Sequence, residues 1–214
     1  MLLPGGPQEL LGYCYWSGLT SLVSQGGIAA SEYKPQYNVL PLKEVRTATF
    51  RDADPLIELI RREVSDLSSD WEEYLRICVN EVIQNIQDHA RSEVGGILAA
   101  RFMSAGAEVR VAIVDRGEGI RTTLARRFPD TTIHNCLRRV LQGEYSALSR
   151  ENNAGLGLNH LKLILTHLQG ELYLVSGESS AHMARNGVLV YNQLGFPLVG
   201  TAVFFTVPSK RSQL

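Results

Sequence analysis

Apolar positions recur along the chain with two spacings, and the changes between them predict the order of helices and strands. Apolar residues recur every three or four positions in the helical stretches and every second position in the strands. The predicted helices lie at 54–67, 70–90, 122–128, 131–142 and 156–168, and the predicted strands lie at 43–50, 96–103, 108–114, 171–175, 187–191 and 201–207. This order favours an α+β two-layer sandwich, with a mixed, mostly antiparallel sheet covered by helices on one face.

The chain that precedes this pattern has a different character. Residues 8–24 are strongly apolar with helical spacing, and two glycines follow them. We expect an N-terminal apolar helical segment over 1–42, a main domain over 43–208 and a short tail over 209–214. The segment either packs on its own domain or serves as a docking or dimerising helix. Glycine, serine and threonine interrupt its apolar run, so it is too short for a membrane span.

Composition and charge narrow the class of protein. The chain has 214 residues, of which 44% are hydrophobic and 20% are charged, as is typical of a globular protein. Lys and Arg total 21 and Asp and Glu total 22, for a net charge of -1, so no basic field is present to hold a nucleic acid. Cys14, Cys78 and Cys136 are far apart and odd in number, which predicts reduced thiols in a cytoplasmic protein.

Three polar residues share one stripe of the helix predicted at 70–90. At about 100° per residue, Glu81, Asn85 and Asp88 fall within about 60° of each other, at the border of the apolar face. Two carboxylates and an amide oxygen at such a place can hold a hydrated Mg²⁺ and orient a water molecule. The alternative is a solvated helix face, and His89, which follows directly, is by itself typical of a surface or capping position.

Two glycine motifs follow later in the chain. Asp115-Arg-Gly117-Glu-Gly119 comes directly after an apolar strand, where a fixed carboxylate suits an exocyclic amine such as that of adenine. Gly155-Leu-Gly157-Leu158 lies where a loop becomes a helix, and helix N-termini favour the phosphate chain of a ligand. The alternatives are a glycine-rich turn for the first motif and an ordinary helix start for the second.

The order of these motifs resembles the GHKL superfamily of ATP-binding domains, also called histidine-kinase-like ATPases. Glu81 and Asn85 lie on a helix, the Asp115 motif follows two strands, the Gly155 motif begins a helix, and Gly200-Thr201 begins the last strand. The resemblance covers about 44–208. It implies a Bergerat-type fold that binds ATP and Mg²⁺.

The resemblance also implies roles for individual residues. Glu81 would be the general base, Asn85 would bind Mg²⁺ with Glu81 as a candidate second ligand, and Asp115 would recognise the adenine amine. The other expected nucleotide contacts are Asp88, His89, Gly117, Gly119, Ile120, Asn153, Gly155, Leu156, Gly157, Leu158 and Thr201. The family carries a mobile lid at a position that corresponds to Ile120–Ala154, and arginines of this segment are candidate triphosphate contacts.

The layout is nearest to the compact anti-sigma-factor serine kinases, although the lid is longer and residues 1–40 are additional. No histidine precedes His89, so self-phosphorylation in the manner of sensor histidine kinases is not expected. We expect a cytoplasmic signalling protein, a Mg-ATP-dependent kinase or ATPase that acts on a phosphoacceptor or partner on another chain; a homodimer is compatible with this. The alternatives are a nucleotide-gated regulatory module of anti-sigma type without useful catalysis, and a scaffold that kept the fold but binds no nucleotide.

Overall fold

A five-stranded sheet organises the fold. The computed structural model describes residues 39–45, 49, 51–92, 95–126, 128–144 and 157–209. The strands are β1 (Val39–Val45), β2 (Gly96–Met103), β3 (Glu108–Asp115), β4 (Leu172–Met183) and β5 (Leu189–Pro208). They lie in the order β1-β2-β3-β5-β4, and every neighbouring pair is antiparallel. The expected α+β class with a mostly antiparallel sheet is therefore confirmed.

Helices form the second layer. They are α1 (Asp54–Glu63), α2 (Ser69–Asn85), α3 (Gly119–Ala125), α4 (Ile133–Leu141) and α5 (Gly157–His167). A π-helical turn, Ile86–Ala90, extends α2, and a 3₁₀ turn, Ser104–Gly106, joins β2 to β3. None of the described helices combines the length and apolar character required to cross a bilayer.

The core lies between the helices and one face of the sheet. Burial alternates along β3, where Val109, Val111 and Ile113 are buried and Arg110 is exposed. The largest fully buried side chains come from both layers, namely Leu56, Ile57, Ile60, Leu75, Ile83, Leu98, Ile113, Leu137, Leu141, Leu161, Leu165 and Phe205. Each such side chain contributes about 1.5–3 kcal/mol when it leaves water. This burial orients α2 and α5, which carry candidate site residues.

Local sequence explains where α1 and α2 begin and how they are held. Pro55 lies in the first turn of α1, where its missing N–H has no helical partner to lose. The Ser68 hydroxyl accepts from the Trp71 N–H at 3.5 Å, which caps α2. Arg76 of α2 forms an ion pair with Asp54 of α1, so the two helices are also joined at their exposed edges.

The last part of the chain differs from the sequence expectation. The predicted strands at 187–191 and 201–207 are parts of one strand, β5, and the strand predicted at 171–175 continues as β4 to Met183. The first strand lies at Val39–Val45 rather than at 43–50. The extension of β4 is rich in serine and pairs with residues 189–193 of β5. Main-chain hydrogen bonds therefore hold it in the sheet, and its sequence lacks the alternation of apolar residues that would predict a strand.

β4 doubles back on itself at its middle. The Tyr173 ring stacks on the His182 ring at a centroid distance of 3.9 Å, and the Arg185 guanidinium pairs with Glu171 at 3.1 Å. Both contacts join residues placed symmetrically about 177–178, so the second half of β4 lies beside the first half. Gly177 has a φ of 58°, which favours glycine, and the register with β5 shifts there.

Candidate functional site

Asp115 ends the central strand β3 with its carboxylate fixed by two backbone groups. It is 7% exposed and pairs with Gly96 of β2 and Thr201 of β5. Its Oδ1 accepts from the Gly117 N–H at 2.7 Å and from the Thr201 N–H at 3.3 Å, and Oδ2 has no partner within the described residues. Burial raises the pKa of Asp115, and the two backbone hydrogen bonds oppose that rise. The residue therefore presents an oriented acceptor at the end of a buried strand.

The loop after Asp115 is fastened to the π-helical turn. The Glu118 N–H donates to the Ala90 carbonyl at 2.8 Å. A side chain at Gly117 would overlap the backbone of Ala90, so this close approach requires glycine. The glycine loop and the end of the helix that carries Asn85 therefore meet. Single π-helical turns inside α-helices are frequent at functional sites.

Ser176 joins three elements beside Asp115. Its Oγ accepts from the Ile120 N–H at 2.8 Å and lies 3.1 Å from both the Gly200 carbonyl and the Thr201 Oγ1. The hydroxyl thus ties the start of α3 to β4 and β5. The sequence gives no signal for this role, because Ser176 stands at the end of a predicted strand in a polar stretch.

A second group forms where α5 begins against α2. A Cβ added to Gly157 would lie 2.7 Å from the Cβ and 2.8 Å from the Oε2 of Glu81. Glu81 is half-buried, and its Oε2 is inaccessible to solvent and has no hydrogen-bond partner in the part of the chain described. Burial raises the pKa of Glu81, and the charge of nearby His160 on α5 opposes the rise. Glu81 and Gly157, which belong to different predicted motifs, are therefore in contact.

The remaining predicted residues of α2 lie one and two turns after Glu81. Asn85 is half-buried at the end of α2, and Asp88 is exposed and accepts from the Gln84 Nε2 at 3.0 Å. His89 lies in the π-helical turn, and its side chain is outside the described residues. No three Asp, Glu, His or Cys side chains among the described residues are grouped to hold a metal. Mg²⁺ at Asn85 would thus need phosphate and water oxygens as its other ligands, as is usual for this ion.

Part of the expected site lies beyond the described residues. Asn153, Gly155 and Leu156 fall there, as do Arg127 and Arg150 of the expected lid, whereas Leu158 is buried in α5. Three arginines of the lid segment that are described have partners: Arg126 pairs with Glu118, Arg138 lies over the Tyr191 ring, and Arg139 pairs with Glu144.

Two local groups therefore contact the continuous helix of α2 and its π-helical turn, one at Ala90 and the other at Glu81. One consists of Asp115 with Gly117 and Thr201, and the other consists of Glu81 with Gly157. Chemically, the first offers an oriented acceptor and the second a poorly solvated carboxylate beside a helix N-terminus. A scan against protein-family models and a search of curated proteins found no match to this chain.

Proposed function

We propose that residues 43–208 form a GHKL-type domain that binds Mg-ATP. The observation that carries this proposal is the Asp115 carboxylate, held at Oδ1 by the Gly117 and Thr201 N–H groups at 2.7 and 3.3 Å. Two segments distant in sequence thus converge on one acceptor, which suits the amino group of adenine. The glycines of the loop let it pack closely against Ala90 and Ser176, and Gly119 and Ile120 lie at the start of α3, next to Ser176.

The phosphates would lie toward the start of α5. Gly157 and Leu158 begin this helix of 11 residues, whose N-terminal N–H groups favour an anion. Asn153, Gly155 and Leu156 directly precede it in sequence, and Asp88 and His89 follow Asn85 in the π-helical turn. Asn85 would hold Mg²⁺, which neutralises phosphate charge when bound, with Glu81 as a second candidate ligand.

We propose that the activity is phosphoryl transfer from ATP to a protein on another chain, or slow ATP hydrolysis, in cytoplasmic signalling. Glu81 supports this reading because burial raises the pKa of its poorly solvated carboxyl above the ordinary value, which makes the carboxylate a stronger base. The second candidate is a nucleotide-gated module that binds a protein partner, or a second copy, without useful catalysis. It is supported by the hydrogen bond from the Ile120 N–H to Ser176, which holds the start of α3 directly after the glycine loop, since a nucleotide there would act on the lid segment.

Calorimetric titration of the full chain with ATP and Mg²⁺ tests the binding proposal. Asp115→Asn should weaken ATP binding about tenfold or more, because the amide replaces a charged acceptor. Asp66→Asn changes an exposed turn residue by the same atoms and should leave the affinity unchanged. Equal affinity in the wild type and in Asp115→Asn would contradict the adenine assignment.

The Glu81→Gln variant distinguishes the two candidate functions, the enzyme and the binding module. Under the first reading, the variant binds ATP with little change but releases ADP at a much reduced rate, about 100-fold slower. Under the second, the wild type and the variant release ADP equally slowly, and ATP changes only the binding of a protein partner. Full turnover by Glu81→Gln would exclude Glu81 as the base.

A further inference from the structure

The face of the sheet opposite the helices carries an uncharged row. Strand register places Ala99, Ala112, Phe204 and Tyr173 opposite one another across β2, β3, β5 and β4. Phe204 and Tyr173 are each 41% exposed, although the His182 ring stacks on Tyr173. The next row contains Ile97, Val114 and Val175, which are partly exposed, and Ala202, which is buried. We call these two rows the outer face. Apolar side chains that stay partly exposed on a sheet mark a place where another element packs.

The chain enters the described fold at the border of the outer face. Val39 is the first residue of the edge strand β1 and pairs with Arg101 of β2. Arg101 is two residues from Ala99, so its side chain lies on the same face of the sheet. The segment that precedes Val39 therefore joins the sheet at an edge strand, next to a residue of this face.

The length of that preceding segment suits the outer face. Residues 25–38 can span up to about 46 Å when extended at about 3.3 Å per residue. Five strands about 4.8 Å apart make a sheet about 24 Å wide, and a helix over 8–24 would be about 26 Å long. Residues 1–31 contain a single charged side chain, Glu9, so burial of this segment requires almost no desolvation of charge.

We propose that residues 8–24 pack on the outer face of the sheet as a cover supplied by the chain itself. The cover buries Phe204 and Tyr173 and turns the two-layer domain into one with a third, helical layer. It does not depend on nucleotide binding. An intramolecular partner tethered by a short linker has an effective concentration in the millimolar range, which favours it over a second copy of the chain.

Cys14 lies within 8–24, so the rate at which its thiol reacts with a reagent tests whether this segment is packed on the outer face. Cys78 and Cys136 are 3% and 0% exposed, so a water-soluble thiol reagent should reach them only on unfolding. In the full-length native protein, we expect Cys14 to react about tenfold more slowly, or slower still, than in the urea-unfolded chain. Phe204→Glu places a carboxylate in the outer face and should speed the Cys14 reaction about tenfold.

Leu163→Glu is the matched control, because Leu163 is 54% exposed on α5 in the helical layer. It should leave the Cys14 rate unchanged, and Tyr173→Ser should raise it about threefold. Peptide mapping by mass spectrometry measures all three thiols, and protected Cys78 and Cys136 show that a variant is folded.

Three results would overturn the proposal. They are a wild-type Cys14 rate equal to the unfolded rate, a Cys14 protection unchanged in both outer-face variants, and a protection that rises with protein concentration. The last result would assign the outer face to a second copy of the chain.

Discussion

Glu81→Gln should make the free protein more stable at neutral pH, although it removes the proposed catalytic base. The Glu81 Oε2 is inaccessible to solvent and has no hydrogen-bond partner within the described residues, and Gly157 packs against the carboxylate. A carboxylate in this position loses water without gaining a donor. Glutamine keeps the size of the side chain and removes the charge.

The expected gain follows from the difference between a charged and a neutral polar group without a partner, since the glutamine amide is left equally unpaired but carries no charge. An unsatisfied buried group costs about 1–3 kcal/mol and more when it is charged, and we take ~1 kcal/mol for the difference because Glu81 is only half-buried. For a domain of this size, that gain corresponds to a Tm about 2–4 °C higher. Burial raises the pKa of Glu81 above its ordinary value of 4.5, so the cost is present above the raised pKa and disappears as pH falls below 4.5.

Urea unfolding of the wild type and the variant at pH 7.5 and at pH 4 tests this reasoning. The stability difference should be clear at pH 7.5 and close to zero at pH 4. Glu178→Gln makes the same change at an exposed position of β4 and should alter stability little at either pH. A Glu81→Gln variant less stable than the wild type at pH 7.5, or a gain of equal size at both pH values, would refute it.

Three further substitutions test the packing of the site. Gly157→Ala should weaken ATP binding about tenfold in a calorimetric titration, because the new Cβ would lie 2.7 Å from the Cβ of Glu81. Gly195→Ala is the control, because its new Cβ would have no atom within 4 Å. An equal loss of ATP affinity in both variants would contradict this reasoning. Gly200→Ala should lower the free energy of unfolding in urea by about 3 kcal/mol, because φ at this position is 95° and the new Cβ would overlap the Asp115 carbonyl. A loss under ~1 kcal/mol would contradict this prediction. Ser176→Ala should lower stability by about 1–3 kcal/mol, because the Ile120 N–H loses its acceptor, and hydrogen exchange at Ile120 as slow as in the wild type would count against this.

The sequence allowed prediction of the elements whose apolar spacing is regular. β2 lies at 96–103 as expected, and Glu81 and Asn85 lie one turn apart on a helix whose buried face includes Val82 and Ile83. Spacing alone could not predict that Gly157 contacts Glu81, because the contact depends on how α5 packs against α2. Nor could it predict Ser176, whose role comes from the convergence of α3, β4 and β5 on one hydroxyl.

The reversal of β4 about Gly177 also has a consequence for solubility. In the order β1-β2-β3-β5-β4, the first half of β4 would otherwise be the last strand on its side, with main-chain groups free to recruit a strand from another molecule. The contacts of Tyr173 with His182 and of Glu171 with Arg185 place the protein's own chain along that side. The fold of β4 thereby prevents edge-to-edge strand pairing between molecules at this side of the sheet, and it does so without surface charge.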